Sequence, residues 1–386
     1  MSTDRVKVLH VTTVDSSLEA LLRPQLLAFA EAGFEVVTAS APGPYVTGLE
    51  AAGIRHVALA NSTRAMDPRR DLSLALELYR LFRAEKPEIV HTHNPKPGWF
   101  GRPAARAARV PVVVNTVHGL YAGPTDPLVR RVLVYALERM AVTCSDAELL
   151  QSVEDVDVLR MLRVPAERIT VLGNGIDLDR FGPPTAQARA EARQSLGLHD
   201  DDIAVGAVGR LVWEKGLREV VATAASLQRS HPRAKLLVAG PLDPDKSDGL
   251  EPSDLERISR DSGLRFVGEQ SRIEDFYAAL DMYVLASYRE GFPRSAMEAA
   301  ACGLALVLSD IRGCRQVVDH GINGVLVPPG DAGALAAAVG QLLDDPQRRA
   351  AMGEASVAKA AAEFDQQRVI DITVDTYHRL LANTRR

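Results

Sequence analysis

The stretch 202-DIAVGAVGRLVWEKG-216 decides how this chain folds. Its first half is an apolar run of strand length, and Gly209 then lets the backbone turn tightly. Arg210 and Lys215 follow in the loop, at the carboxyl end of the expected strand, which is where open α/β sheets bind their ligands. Two cations at that place suit a diphosphate. Fixed positive charge there neutralises a leaving phosphate without a metal.

Working outward, the same rhythm repeats. Downstream, AKLLVAG (234–240), LRFVG (264–268), MYVLAS (282–287), LALVLS (304–309) and GVLVPP (324–329) read as strands with helices between them. Upstream, VKVLHVTT (6–13), FEVVTAS (34–40), IRHVAL (54–59), EIVHTH (88–93), PVVVNTVHG (111–119), AVTCS (141–145) and ITVLGNG (169–175) read the same way. QLLAFAEAG, LALELYRLFRAEK and VRRVLVYALERM, set among them, carry helical periodicity. The two sets part at 175-GIDLDRFGPPTAQARAEARQSLG-197, a polar stretch with a Pro-Pro pair. The expected fold class is α/β, with two Rossmann-like doubly wound domains in tandem, 1–180 and 181–366, facing a deep cleft at the carboxyl ends of their strands. The amphipathic end, 367–386, either caps the second domain or crosses back to the first.

Bulk properties narrow the class. A chain of 386 residues supports two cores of ordinary size, and 46% hydrophobic with 25% charged residues excludes disorder and fibrous repeats. The longest uncharged apolar run, 299-AAACGLALVL-308, falls short of the ~20 residues of a spanning helix. No export signal is read at the start. Three cysteines (Cys144, Cys302, Cys314) without C-x-x-C spacing fit a reducing compartment, so the expected location is cytoplasmic. Residues 1–181 hold 21 basic and 21 acidic side chains, so the net charge of −5 resides in the second half. Residues 55–110 nevertheless carry 11 Lys/Arg against 5 Asp/Glu, with Arg102, Arg106 and Arg109 at helical spacing. That surplus is either a solvated helix face or a contact for an anionic membrane surface. Nucleic acid is not expected, because the patch lacks interleaved aromatics.

A second motif, 289-REGFPRSAMEAAACG-303, sets Glu290 in a Gly-Pro turn and Glu298 on the helix that follows. Pro293 suits a helix start, whose dipole favours an anion. Five residues or ~7.5 Å of helix separates Glu298 from that start, too far for a carboxylate pair sharing a proton. The two glutamates are therefore read as touching different parts of one extended ligand. A nucleotide sugar fits: one carboxylate on the sugar ring, the other on the ribose, the diphosphate between. Glu298 as a buried capping carboxylate is the structural alternative.

These residues resemble the retaining glycosyltransferase family 4, of the GT-B fold, through Gly209, Arg210, Lys215 and Gly216 and the E-x7-E pair Glu290 and Glu298. HTHNPKPG (91–98), NTVHG (115–119), LGNGID (172–177), SYREGFPRSAMEAAACGL (287–304) and DIRGCR (310–315) resemble the branch that builds bacterial capsule, O-antigen and protein-glycan chains on undecaprenyl-diphosphate. The resemblance implies that Arg210 and Lys215 bind the donor diphosphate. It places Glu290 and the backbone of Gly291, Phe292 and Pro293 on the transferred sugar, and Glu298 on the ribose. The loop 267-VGEQSRIEDFY-277 would lie by the base, making Arg272 and Ile273 candidates there, and His118 would contact the donor sugar. It also favours a last helix returning to the first domain. Thr12, Thr13, His93 and His118 are the acceptor-side candidates, with His91 a weaker one. Two departures stand out: 12-TTVDSSLE-19 lacks the glycine pair that many relatives have after the first strand, and Gln316 stands where relatives often have Glu.

The triplets 155-DVD-157, 177-DLD-179 and 243-DPD-245 have no partner ligands at metal spacing, so neither metal nor cofactor is expected. The implied reaction is transfer of a hexose or N-acetylhexosamine from a UDP-sugar to a hydroxyl of a glycan acceptor, lipid-diphosphate-linked, with retention of configuration. A GT-B epimerase or phosphorylase and a non-catalytic UDP-sugar-binding protein are the rival readings. Donor sugar, linkage and oligomeric state are not encoded in any motif.

Overall fold

The computed structural model describes residues 5–122, 126–244 and 246–384. The chain forms two compact units, 1–173 with 367–386, and 174–366. Each is an α/β sandwich around a parallel sheet.

The first unit contains β1 (Lys7–Val14), β2 (Glu35–Ala41), β3 (Arg55–Ala58), β4 (Ile89–His93), β5 (Val112–Val117), β6 (Ala147–Leu150) and β7 (Ile169–Val171). Their order is β3-β2-β1-β4-β5-β6-β7, with parallel pairing throughout. β4 (IVHTH) and β5 (VVVNTV) are buried along their whole length, apolar at their starts and, toward their ends, polar with partners such as His91–Thr116 and Thr92–Asn115. Alternate residues feed two cores. Val8, Leu26, Phe29, Ile89 and Val114 pack on one side of the sheet, and Leu9, Val37, Leu78, Phe82 and Val113 on the other.

The final helix, Gln366–Thr384, joins the first of these cores through Val369, Ile370, Tyr377, Leu380 and Leu381, a spacing of one helix face. The Tyr377 hydroxyl lies 2.5 Å from Nδ1 of His91 on β4.

Two expectations are corrected here. The run 141-AVTCS-145 is not a strand. Ala141 and Val142 bury themselves as the last turn of the helix Leu128–Val142, and β6 begins only at Ala147. A short apolar run reads equally as strand or as buried helix end, and packing decides. The basic surplus of 55–110 is likewise smaller at the surface than in composition. Arg102 is fully buried, donating to Glu138 (2.6 Å), Glu148 (2.7 Å) and the Gly98 carbonyl (2.6 Å), and Lys96 is buried on Asp71 at 2.6 Å. Arg106 pairs with Asp146. A buried guanidinium is tolerated because carboxylates from separate elements surround it.

The second unit contains β8 (Ile203–Val208), β9 (Ala234–Ala239), β10 (Arg265–Gly268), β11 (Met282–Leu285), β12 (Ala305–Ser309) and β13 (Gly324–Val327), ordered β10-β9-β8-β11-β12-β13 and all parallel. Chain order reverses between β8 and β11, the crevice where such sheets bind ligands. Gly216, which starts the helix Leu217–Ser230, has φ of 72°, and a Cβ there would stand 2.0 Å from the Ala286 carbonyl oxygen. Only glycine lets the loop after β8 lie this close to the end of β11.

Candidate functional site

The residues after β8 are pinned by bridges from Leu211 to Leu242 and from Val212 to Gly249, and a single 3-10 turn, Trp213–Lys215, turns the lysine back toward the sheet. Lys215 Nζ donates to Glu290 Oε1 at 2.6 Å, and Ser287 Oγ donates to the same oxygen at 2.7 Å. Arg210 and Lys215 line one hollow of about 10 Å³ together with Val208, Gly209 and Ala286. Arg210, Lys215 and Glu290 thus converge at the carboxyl ends of β8 and β11. Each cation already has a carboxylate, because Arg210 pairs with Asp243. Neither pairing exhausts its donor: a lysine ammonium has three N–H bonds and a guanidinium five, so both can add a phosphate oxygen.

Gly291, Phe292 and Pro293 lead into the helix Arg294–Ala301, with Pro293 at its N-cap. The turn is held from behind. Asn174 Nδ2 donates to the Phe292 carbonyl at 3.2 Å, and the Phe292 ring packs edge-on against Phe364. Gly313, of the GCR segment, lies so near that a Cβ would meet the Gly291 carbonyl oxygen at 2.4 Å. Glu298 accepts from the Tyr277 hydroxyl at 2.9 Å and lies 4.0 Å from Arg294. Burial pushes its carboxyl up from the ordinary value, opposed by Arg294 and the Tyr277 hydrogen bond. The two glutamates have separate partners.

Arg272 and Ile273 sit apart from this group in their contacts. Arg272 is exposed and pairs with Asp275 at 3.0 Å, while Ile273 packs half-buried against the core.

In the first unit, His118 follows β5 and takes part in a file of imidazoles. Its Nε2 lies 3.1 Å from His93 Nδ1, and His93 Nε2 lies 3.1 Å from His10 Nδ1. Burial holds His118 down to about 4, opposed by a Gln151 hydrogen bond, and His10 down to about 3. Burial also lowers His91 and His93 well below the ordinary value, so all four are neutral at pH 7. In a neutral file each ring donates once and accepts once, so the tautomers are coupled. His10 Nε2 is buried without a partner. An unpaired lone pair is tolerated better than an unpaired N–H, which makes His10 the donor to His93 and His93 the donor to His118.

His91 is saturated by Tyr377 and by Thr116 Oγ1 at 2.7 Å. Thr12 is fully buried and gives its hydroxyl to the Val14 carbonyl, and the Thr13 amide donates to Asn94 Oδ1. His91, His93, Thr12 and Thr13 thus build the sheet end behind His118. His118 itself lines a cavity of about 220 Å³ with Asn94, Trp99, Asn115, Tyr121 and Glu138.

Ring nitrogens of His10, His91 and His93 come within 4.8 Å of one another, a spacing from which a metal could be held. His10 and His93 are already bonded to each other, and His91 to Tyr377 and Thr116. Of the acidic triplets, Asp155 accepts from the Leu120 amide, Asp177 accepts from the amides of Asp179 and Arg180, and Asp243 holds Arg210. Asp245 lies outside the described residues.

Sequence reasoning missed Ser287, Asp243 and Gln151. Ser287 stands inside the quoted motif, three residues before Glu290, and was there to be found. Asp243 is 33 positions from Arg210, and no spacing rule pairs them.

Two parallel-sheet units in one chain, the second with cations after β8 bonded to carboxylates after β9 and β11, are the architecture of GT-B glycosyltransferases. Residues 188–358 match the family described as glycosyl transferases group 1, and residues 25–180 match Glycosyltransferase Family 4. The chain is 31% identical over 287 residues to the UDP-Gal:alpha-D-GlcNAc-diphosphoundecaprenol alpha-1,3-galactosyltransferase of Escherichia coli, covering 72% of this chain and 71% of that one. It is 26% identical over 381 residues to the capsular polysaccharide biosynthesis glycosyltransferase CapM of Staphylococcus aureus, covering 97% of each. Among solved structures, Anabaena HepE in complex with UDP superposes with a TM-score of 0.80 at 20% identity, over 97% of this chain and all of the other, a likeness of fold. The chain belongs to glycosyltransferase family 4.

Proposed function

We propose that this glycosyltransferase moves a hexose or N-acetylhexosamine from a UDP-sugar to a hydroxyl of a lipid-diphosphate-linked glycan, with retention of configuration and without a metal, in cell-surface polysaccharide synthesis at the cytoplasmic face of the membrane. The observation that carries the reading is the convergence of Lys215, Arg210 and Glu290 at one sheet end. Relatives named for capsule synthesis and for a galactosyltransferase acting on a diphosphoundecaprenol substrate support the acceptor class, and HepE, solved with UDP, supports the donor class.

In this mechanism Lys215 and Arg210 bind the donor diphosphate and stabilise the negative charge that grows on it as the glycosidic bond breaks. Glu290, held by Lys215 and Ser287, accepts from hydroxyls of the transferred sugar. Glu298, about a turn and a half into its helix, accepts from the ribose. The bond from the anomeric carbon to the diphosphate breaks, the acceptor oxygen bonds to the same face, and the departing phosphate takes the acceptor proton. No protein carboxylate need form a covalent intermediate.

The test is a panel of UDP-sugars and lipid-diphosphate acceptors assayed with chelator present, the product linkage being determined. Anomer-retaining transfer in chelator is the expected result. Strict dependence on added manganese, an inverted product, epimerised nucleotide sugar formed without acceptor, or tight UDP-sugar binding without turnover would overturn it.

A further inference from the structure

The helix Leu128–Val142 is apolar on two opposite sides. Val134, Ala141 and Val142 are buried, and Val134 and Ala141 pack around Trp99. Leu128, Val129, Val132, Leu133 and Met140 face away and are exposed by 50% to 82%. At ~100° per residue these five, with exposed Ala136, fill an outward arc of roughly 140°. A surface helix ordinarily carries polar residues there.

The charges around the arc have one dominant sign. Arg130, Arg131 and Arg139 stand on the helix, and its single acid, Glu138, is buried against Arg102 and Trp99. Asp126, just before the helix, pairs with Arg130 at 3.2 Å. Arg139 is exposed and lies within the apolar arc. A two-fold contact with a second copy would bring this arginine face against itself. Anionic phospholipid offers both the apolar and the negative partner. Among the described residues no helix is long and apolar enough to cross a membrane, so the contact is peripheral.

We propose that the outward face of Leu128–Val142 docks this protein on an anionic phospholipid surface, its apolar side chains entering the headgroup layer and Arg139 reaching lipid phosphates. The surface goes beyond the transferase reading and does not rest on it. It also moves the membrane contact from residues 55–110 to this helix.

Co-sedimentation of the full chain with vesicles of phosphatidylcholine, with and without about 30% phosphatidylglycerol, tests it. The expected result is roughly tenfold tighter partitioning onto the anionic vesicles, weakened at about 0.5 M salt. V129E/L133E and, separately, R139E are expected to lower that binding by about tenfold or more and about threefold respectively, with unchanged circular dichroism and melting. Should the double variant misfold, the exposed single change R139E decides. Wild-type protein that ignores anionic vesicles, or an R139E or folded V129E/L133E variant that binds like wild type, overturns the proposal. So does a lipid-free dimer in sedimentation velocity that V129E/L133E abolishes, which would give the face to a second copy.

Discussion

Lys215 Nζ stands 2.6 Å from Glu290 Oε1, joining the loop after one strand to the turn after its neighbour. The lysine is thereby aimed before any ligand arrives, and the glutamate is held by Ser287 as well. Lys215→Ala is expected to cut transfer by at least ~100-fold, the scale of removing one group that stabilises developing charge. Ser287 would still hold Glu290, so the variant keeps its melting temperature. Steady-state kinetics with a thermal melt separates this from a folding defect, and near-normal activity would remove the lysine from the mechanism.

Gly216→Ala tests the packing that aims the lysine. At φ of 72° and with Ala286 O at 2.0 Å, the added methyl forces the loop away from β11. A loss of about 1–3 kcal/mol in urea unfolding is expected, together with weaker UDP binding by calorimetry. Unchanged stability would mean that the loop relaxes freely.

Arg102→Met should be among the most damaging substitutions in the first unit. It leaves Glu138 and Glu148 buried without their cation, a loss of about 3–5 kcal/mol. Replacing all three residues with apolar ones of similar volume should restore much of it, and chemical denaturation of the single and triple variants measures both.

The imidazole file predicts acid sensitivity. His10 is held below its ordinary value when folded, to about 3, so unfolding takes up a proton once the pH falls below the unfolded value of about 6.5. Its contribution is therefore complete above pH ~6.5 and is lost progressively toward pH 3, at about 1.4 kcal/mol per pH unit. His10→Phe should flatten the dependence of unfolding free energy on pH between about 7 and 5.5 by roughly one proton. An unchanged slope would show that His10 is not neutral by burial.

Much of this was legible in the chain. The strands of both units are short runs rich in apolar and β-branched residues, and β-α alternation left little freedom in how they wind. Arg210, Lys215 and Glu290 were found because glycines and a proline mark the turns that carry them. What stayed hidden depends on contacts between distant segments. Arg102 reads as a surface cation until Glu138 and Glu148 come together around it, and His10, His93 and His118 reveal their file only when β1, β4 and β5 lie side by side. Composition counts charges, whereas the fold decides which of them meet water.

The last helix has a consequence for how the protein comes into being. Val369, Ile370, Tyr377 and Leu380 complete the core that Val8, Phe29 and Phe34 begin. A ribosome therefore delivers the closing piece of the first unit only after the whole of the second has emerged, roughly two hundred residues later. The second unit can mature on the nascent chain while the first waits, one of its cores still lacking the helix that completes it. Cleavage that removes the tail should thus cost the first unit its fold while leaving the second intact.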